Sequence, residues 1–112
     1  MAHTPAVTFI FTNSHDVTSD LLVSRLGRGR VFRFNFDLWQ DYRIVLTPSG
    51  FEIENPVGFK VTDRDVAKFY WRKPMRLAQL EPGAEVSDRT HYIEEELWYM
   101  MREIVNHNSS SI

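Results

Sequence analysis

Residues 66–74 combine a buried strand with an abrupt basic end, and this stretch most constrains the fold. The three aromatic residues at 69–71 favour the pleated, largely buried surface of a β-sheet. Pro74 lacks the N–H that a central ladder needs, so the strand is predicted to end near Lys73. Arg72 and Lys73 are then placed at one rim of the sheet. Because ligands of open α/β sheets bind at the carboxyl ends of strands, this rim is a candidate anion-facing site.

The start of the chain has the pattern of a parallel βαβ unit. Residues 6–11 form a near-continuous apolar run, which is typical of a strand covered on both faces. The polar residues 12–16 predict a helix start, and Gly27 and Gly29 predict its end. Residues 31–36 alternate Phe with other residues, which predicts a second strand with its rings on one face. The apolar residues of the helix recur at helical spacing: Val17, Leu21, Leu22 and Leu26.

The second half of the chain has antiparallel and helical patterns. Residues 42–47 and 51–54 flank a Pro-Ser-Gly turn and predict a hairpin, and residues 57–61 predict a short third strand. A final helix is predicted from Ser87 or Asp88 to about Val105. The predicted fold is therefore α/β, with an open mixed sheet, a parallel βαβ start, an antiparallel hairpin and flanking helices.

Length and composition exclude several classes of function. The chain of 112 residues is predicted to form one domain, residues 1–112, with frayed ends at 1–5 and 107–112. Its net charge of −2 gives no basic field for nucleic acid or an anionic membrane. It has no cysteine, which excludes disulfides and thiolate chemistry, and no apolar run of about eighteen residues. We therefore expect a cytoplasmic protein with no nucleic-acid or membrane partner.

Four short motifs occur in sequence order. An apolar strand and polar turn at residues 9–14 lead into Asp-x-Thr-x-Asp at residues 16–20, and residues 32–37 form a strand that ends in Asn-Phe-Asp. Residues 69–74 are aromatic, basic and then proline, and the last helix runs into Val-Asn-His at residues 105–107. Together these motifs resemble the N-terminal region of ATP-grasp peptide ligases of the microviridin-maturation, or graspetide-synthetase, type.

This resemblance implies a pre-ATP-grasp domain at the front of a longer ligase. Such an enzyme joins carboxylates to amines or hydroxyls on a ribosomal peptide, in the maturation of peptides of the RiPP class. ATP and magnesium are implied for the full-length ligase and would be bound by its later ATP-grasp domains. The resemblance therefore implies no cofactor and no catalytic residue within this chain. The implied partners are the ATP-grasp domains of the same chain and the peptide substrate.

The substrate-side candidates are Arg72, Lys73, Asn13 and Ser14. Arg can hold a carboxylate or phosphate with two hydrogen bonds, and Lys adds a point charge. The alternative for the basic pair is a solvated strand end or an internal ion pair. Asn13 and Ser14 lie where exposed N–H groups can receive an anion, but helix capping explains the same residues.

The last helix carries the interface candidates Trp98, Met101 and Val105. Its wide apolar stripe predicts a partner surface, either for the ATP-grasp region or for a second copy of the chain. The alternative function is accordingly a stand-alone interaction module that dimerises through this helix. The three consecutive glutamates at 94–96 are predicted to form its solvent face.

Two further patterns are weaker. Four arginines surround the glycines after the first helix, and they would suit an acidic peptide or RNA: Arg25, Arg28, Arg30 and Arg33. A solvated helix end explains them as well, because cations are favoured there by the helix dipole. The four histidines lie far apart without ligand spacing, which predicts no metal site.

Overall fold

The computed structural model describes residues 6–27, 29–48, 50–81, 83 and 86–107, and its backbone forms two three-stranded sheets. The elements, in chain order, are β1 Val7–Thr12, α1 Val17–Leu26, β2 Val31–Asn35, β3 Arg43–Thr47, β4 Gly50–Glu54, β5 Lys60–Thr62, β6 Val66–Trp71, α2 Leu77–Leu80 and α3 Asp88–His107. A 3-10 helix that is kinked at Leu38 occupies Phe36–Asp41, and a single 3-10 turn occupies Asp63–Asp65. The predicted α/β class, with its parallel start, antiparallel hairpin and flanking helices, is confirmed.

The first sheet is parallel and has β1 at its centre. Its strand order is β2-β1-β6, and Phe9 of β1 lies opposite Phe32 of β2 and Phe69 of β6. The second sheet is antiparallel, with the order β3-β4-β5. The parallel strands and the antiparallel strands thus form two separate sheets and do not join in one mixed sheet. The carboxyl ends of β1, β2 and β6 meet at one rim of the parallel sheet.

The core between the two sheets is built largely of phenylalanine rings. Phe9 is fully buried, and its ring centroid lies 5.6 Å from that of Phe69 and 5.7 Å from that of Phe51 on the antiparallel sheet. The rings of Phe32 and Phe34 lie on the same side of the sheet as Phe9. The alternation of Phe in the second strand therefore predicted the buried face correctly, because side chains of a strand alternate between its faces.

Helix α1 lies on the other side of the parallel sheet and is capped as its sequence predicts. Asp16 is the N-cap, and its side chain accepts a hydrogen bond from the N–H of Thr18. Gly27 ends the helix with φ of 92°, a conformation that glycine adopts without a Cβ penalty. The apolar spacing predicted the helix but not its burial, because Val17 is 67% and Leu21 is 58% exposed.

Helix α3 packs on the core through residues spaced four apart. Leu97, Met101 and Val105 are buried, with at most 8% of each residue exposed. The helix continues to His107, which is the one described residue of the segment predicted to fray at 107–112. Segments 1–5 and 108–112 lie outside the described residues. Within the described ranges, no helix has both the length and the apolar character that a bilayer span requires.

Candidate functional site

The turn after β1 is organised around the carboxylate of Asp16. Its Oδ2 accepts hydrogen bonds from the hydroxyls of Thr12, at 2.7 Å, and Ser19, at 2.6 Å. Its Oδ1 accepts the backbone N–H of Thr18 at 3.1 Å. Burial raises the pKa of this carboxyl, but the hydrogen bonds from Ser19 and Thr12 and the charge of Arg72 outweigh burial and lower the pKa below its ordinary value. Asp16 is therefore a structural anion that holds the start of α1.

Arg33 fastens the same turn to β2. Its Nη2 donates to the carbonyl of Asn13 at 2.8 Å and to that of Asp16 at 3.1 Å, and its Nη1 forms an ion pair with Asp20. The side chain is only 16% exposed. Sequence analysis grouped Arg33 with the arginines at the helix end, yet its largely buried side chain forms hydrogen bonds within the fold. Arg25 and Arg30 are exposed, and Arg28 lies outside the described residues.

Arg72 lies beside Asp16 at the carboxyl end of β6. Its Nε lies 3.1 Å from Asp16 Oδ2, but the N–H is not directed at that oxygen, so the contact is an ion pair without a hydrogen bond. The buried Nε has no hydrogen-bond acceptor among the residues that the structure describes. The side chain is 38% exposed, so the guanidinium reaches solvent beyond the ion pair. Arg72 thus pairs with Asp16 inside the fold, while the outer part of its guanidinium is accessible to a ligand.

Lys73 combines an exposed cation with an unusual backbone. Its φ is 49°, and it is the one non-glycine residue of the described ranges with a positive φ. Such backbone strain concentrates at functional sites, where the surrounding structure holds it in place. Here the side-chain amide of Asn13 donates to the Lys73 carbonyl at 2.9 Å.

Asn13 and Ser14 are both engaged inside the chain. The Oδ1 of Asn13 accepts the N–H of His15 at 2.9 Å, and only 5% of Asn13 is exposed. The N–H of Ser14 donates to Asp37 Oδ1 at 2.8 Å, and its hydroxyl donates to Asp37 Oδ2. The structure therefore brings all four substrate-side candidates to one rim. Lys73 and the outer part of Arg72 are the ones directed to solvent.

The interface candidates on α3 have different surroundings. Met101 and Val105 are buried in the core of this chain, because the stripe that they belong to faces the two sheets. Trp98 is half-buried, with its ring 5.3 Å from that of Trp71 and the guanidinium of Arg102 at 5.4 Å. The exposed apolar side chains of α3 are instead Tyr92, Ile93, Tyr99 and Met100.

The glutamates at 94–96 do not form one solvent face. Glu94 is only 5% exposed, because it points towards the 3-10 helix Phe36–Asp41. Glu95 lies 3.3 Å from His91 Nε2 and 3.8 Å from Arg76 Nη1. In the described part of the chain, no group of three or more His, Asp or Glu side chains is arranged to hold a metal ion.

Comparison with known proteins shows a likeness of fold. No protein-family model matches the chain, and no curated protein matches it. Among solved structures, it is similar to the macrocyclase MdnC from Microcystis aeruginosa MRC, which was crystallised with its precursor peptide MdnA. The two share 21% identity at a TM-score of 0.63, over 88% of this chain and 34% of MdnC. This chain therefore spans about a third of the macrocyclase, and at this identity the likeness shows the fold alone.

Proposed function

We propose that this chain is the N-terminal, substrate-side domain of an ATP-dependent ligase that joins carboxylates to amines or hydroxyls on a ribosomal peptide. The observation that carries the proposal is the likeness to MdnC over 88% of this chain but only 34% of MdnC. The four ordered sequence motifs support the same assignment to a pre-ATP-grasp domain. MdnC is a macrocyclase whose structure holds a precursor peptide, and a peptide substrate is proposed here by analogy with it.

In this proposal the chain is not catalytic alone. ATP and magnesium are bound by the ATP-grasp domains, and the reaction takes place in the cytoplasm, where ATP is available. The carboxylates of the rim do not fit a magnesium site, because Asp16 is engaged by Ser19, Thr12 and Arg72 and Asp37 is engaged by Ser14. What this chain supplies is positive charge at the rim, from Lys73 and the outer part of Arg72. Those cations would orient a substrate carboxylate towards the catalytic domains.

The test uses the complete gene product that contains this chain, with ATP, magnesium and peptides encoded beside its gene. Each amide or ester bond formed removes one water from the peptide, which mass spectrometry detects. We expect the Arg72→Ala, Lys73→Ala double variant to lower kcat/KM by roughly tenfold or more, since charge-assisted contacts to the substrate are lost. The matched control is Arg64→Ala, Lys68→Ala, which removes two exposed cations near the opposite end of β6. Normal kcat/KM in the first variant would show that the rim is not part of the substrate site. If the complete gene product produces no ATP-dependent loss of water from any of the peptides, the ligase function is contradicted.

A second candidate function is an interaction module that dimerises through α3. The observation that favours it is the exposed face of this helix, where Tyr92 is 65%, Tyr99 is 60% and Met100 is 40% exposed. Sedimentation equilibrium of the 112-residue chain tests it. A dimer that dissociates in the Tyr99→Ser variant supports the module, whereas a monomer at high concentration contradicts it.

A further inference from the structure

Two carboxylates from different elements are buried against one small pocket. Glu94 on α3 is 5% exposed and Asp37, after β2, is 7% exposed. Both line a pocket of about 270 Å³ between α3 and the 3-10 helix Phe36–Asp41. Gln40, Asp41, Ser87 and Thr90 complete its polar lining. The pocket thus brings three carboxylates to one cleft, whose outer residues Gln40, Asp41 and Ser87 are exposed.

Nothing within the described residues neutralises this charge. Asp37 receives hydrogen bonds from Ser14, but no hydrogen bond or ion pair of those residues reaches Glu94. No Lys, Arg or His lines the pocket, and the ion pairs described join other acids: Asp16, Asp20, Glu52 and Glu95. Carboxylates that share a cleft without an opposite charge beside them favour a cation that enters it.

We propose that this pocket binds an organic cation, the side-chain ammonium or guanidinium of a basic residue in a peptide. Glu94 and Asp37 would accept its N–H groups from two walls, and the Thr90 hydroxyl would add a further acceptor. A metal ion is a poorer occupant, since no metal-holding group of side chains occurs in the described ranges. Asp37 also contacts Ser14, so the pocket adjoins the rim that carries Lys73. A peptide on this rim would therefore place an acidic residue near Lys73 and a basic residue near Glu94.

Binding of small probes to the 112-residue chain tests the pocket itself. The probes are Nα-acetyl-lysine amide and Nα-acetyl-arginine amide, with the neutral norleucine and citrulline amides as controls. In a ¹⁵N-labelled sample, we expect only the charged probes to shift the amide signals of Asp37, Thr90 and Glu94. Glu94→Gln should weaken that binding roughly tenfold or more, because it removes a buried opposite charge. The matched control is Glu96→Gln, the same substitution at an exposed residue of α3.

Thermal stability gives an independent readout. Without a cation, Glu94→Gln should raise Tm and Glu96→Gln should leave it unchanged, because Glu94 shares its cleft with Asp37 and Asp41 whereas Glu96 is exposed. Equal shifts from neutral and charged probes, shifts produced by Mg²⁺ alone, or unchanged affinity in Glu94→Gln would each overturn the proposal. A lower Tm in Glu94→Gln would also overturn it, since the carboxylate would then be part of the fold.

Assigning the cation to a substrate peptide rests on the proposed ligase function, whereas probe binding does not. A pocket that binds the probes in a protein without ligase activity would refute the ligase alone. Ligase activity without probe binding would refute the pocket alone.

Discussion

The side-chain amide of Asn13 donates a 2.9 Å hydrogen bond to the backbone carbonyl of Lys73, and this bond joins residues 60 positions apart in the sequence. It ties the turn after β1 to the end of β6. The backbone N–H of Arg72 extends the same junction, because it donates to the Phe11 carbonyl at 2.7 Å. Hydrogen bonds to β1 and to the turn after it therefore hold the strained backbone of Lys73 in place. Arg72 and Lys73 keep a defined position at the rim as a result.

Asp16 should make stability depend on pH in the acid range. Its pKa in the folded chain is below the ordinary value of 3.8, so the unfolded chain takes up its proton first as pH falls. The contribution of Asp16 is present above about pH 4 and is lost as pH falls through the folded pKa. Urea unfolding between about pH 6 and about pH 3 measures this loss, and Asp16→Asn should make the decline below about pH 4 shallower. An identical pH profile in that variant would contradict the role of Asp16.

Arg33→Ala should destabilise the chain by about 2 to 3 kcal/mol, because it leaves the carbonyls of Asn13 and Asp16 without a charged donor. Arg33→Lys should recover little of this, since an ammonium lacks the planar fork of the guanidinium. Arg30→Ala is the control, because its exposed side chain should change the free energy of unfolding by less than about 0.5 kcal/mol. Similar unfolding midpoints for Arg33→Ala and Arg30→Ala would show that Arg33, like Arg30, contributes little to stability.

Tyr42, the residue before β3, is hydrogen-bonded to β2 through its hydroxyl. That hydroxyl donates to the Arg33 carbonyl and accepts the N–H of Asn35, both at 3.1 Å, so Tyr42→Phe should cost about 1 kcal/mol. Burial raises the pKa of Tyr42 above 10.0, although the hydrogen bond from Asn35 opposes the shift. Stability should therefore fall as pH rises above about 10, where the unfolded chain loses this proton first.

Denaturant unfolding at about pH 8 and about pH 11 measures both effects of Tyr42→Phe. Tyr92→Phe is the matched control, because the Tyr92 side chain is on the exposed face of α3. If stability declines at alkaline pH equally in the Tyr42→Phe variant, the decline is caused by groups other than Tyr42.

The adjacent residues Met100 and Met101 should respond differently to truncation. Met101→Ala should destabilise by about 2 to 5 kcal/mol, because Met101 is 1% exposed and its loss leaves a cavity. Met100→Ala should cost less than about 1 kcal/mol, because Met100 is 40% exposed. If α3 faces a partner, Met100→Ala should also weaken that association. Equal unfolding midpoints for the two variants would show that the register of α3 against the core is incorrect.

The strands, the core rings and the cap of α1 could be predicted from the sequence because each depends on short-range patterns. Alternate Phe residues of β2 share a face, and Asp16 with Gly27 marks the ends of α1. The exposure of Val17 and Leu21 could not be predicted, since helical spacing shows which residues share a face but not what covers it. The internal role of Arg33 depends on carbonyls from a distant turn. The burial of Glu94 depends on the 3-10 helix Phe36–Asp41, which no sequence pattern indicated.

Strand β1 is the first strand of the described residues and the middle strand of its sheet, and this placement has a consequence for the order of folding. β1 can pair with β2 as soon as β2 has been synthesised, but its other edge must wait until β6 has been synthesised. Closing so long a loop slows folding, because its entropy is lost before the contacts form. Until then the apolar edge of β1 is open to other chains, so a nascent chain that stalls between β2 and β6 is the form most prone to aggregate.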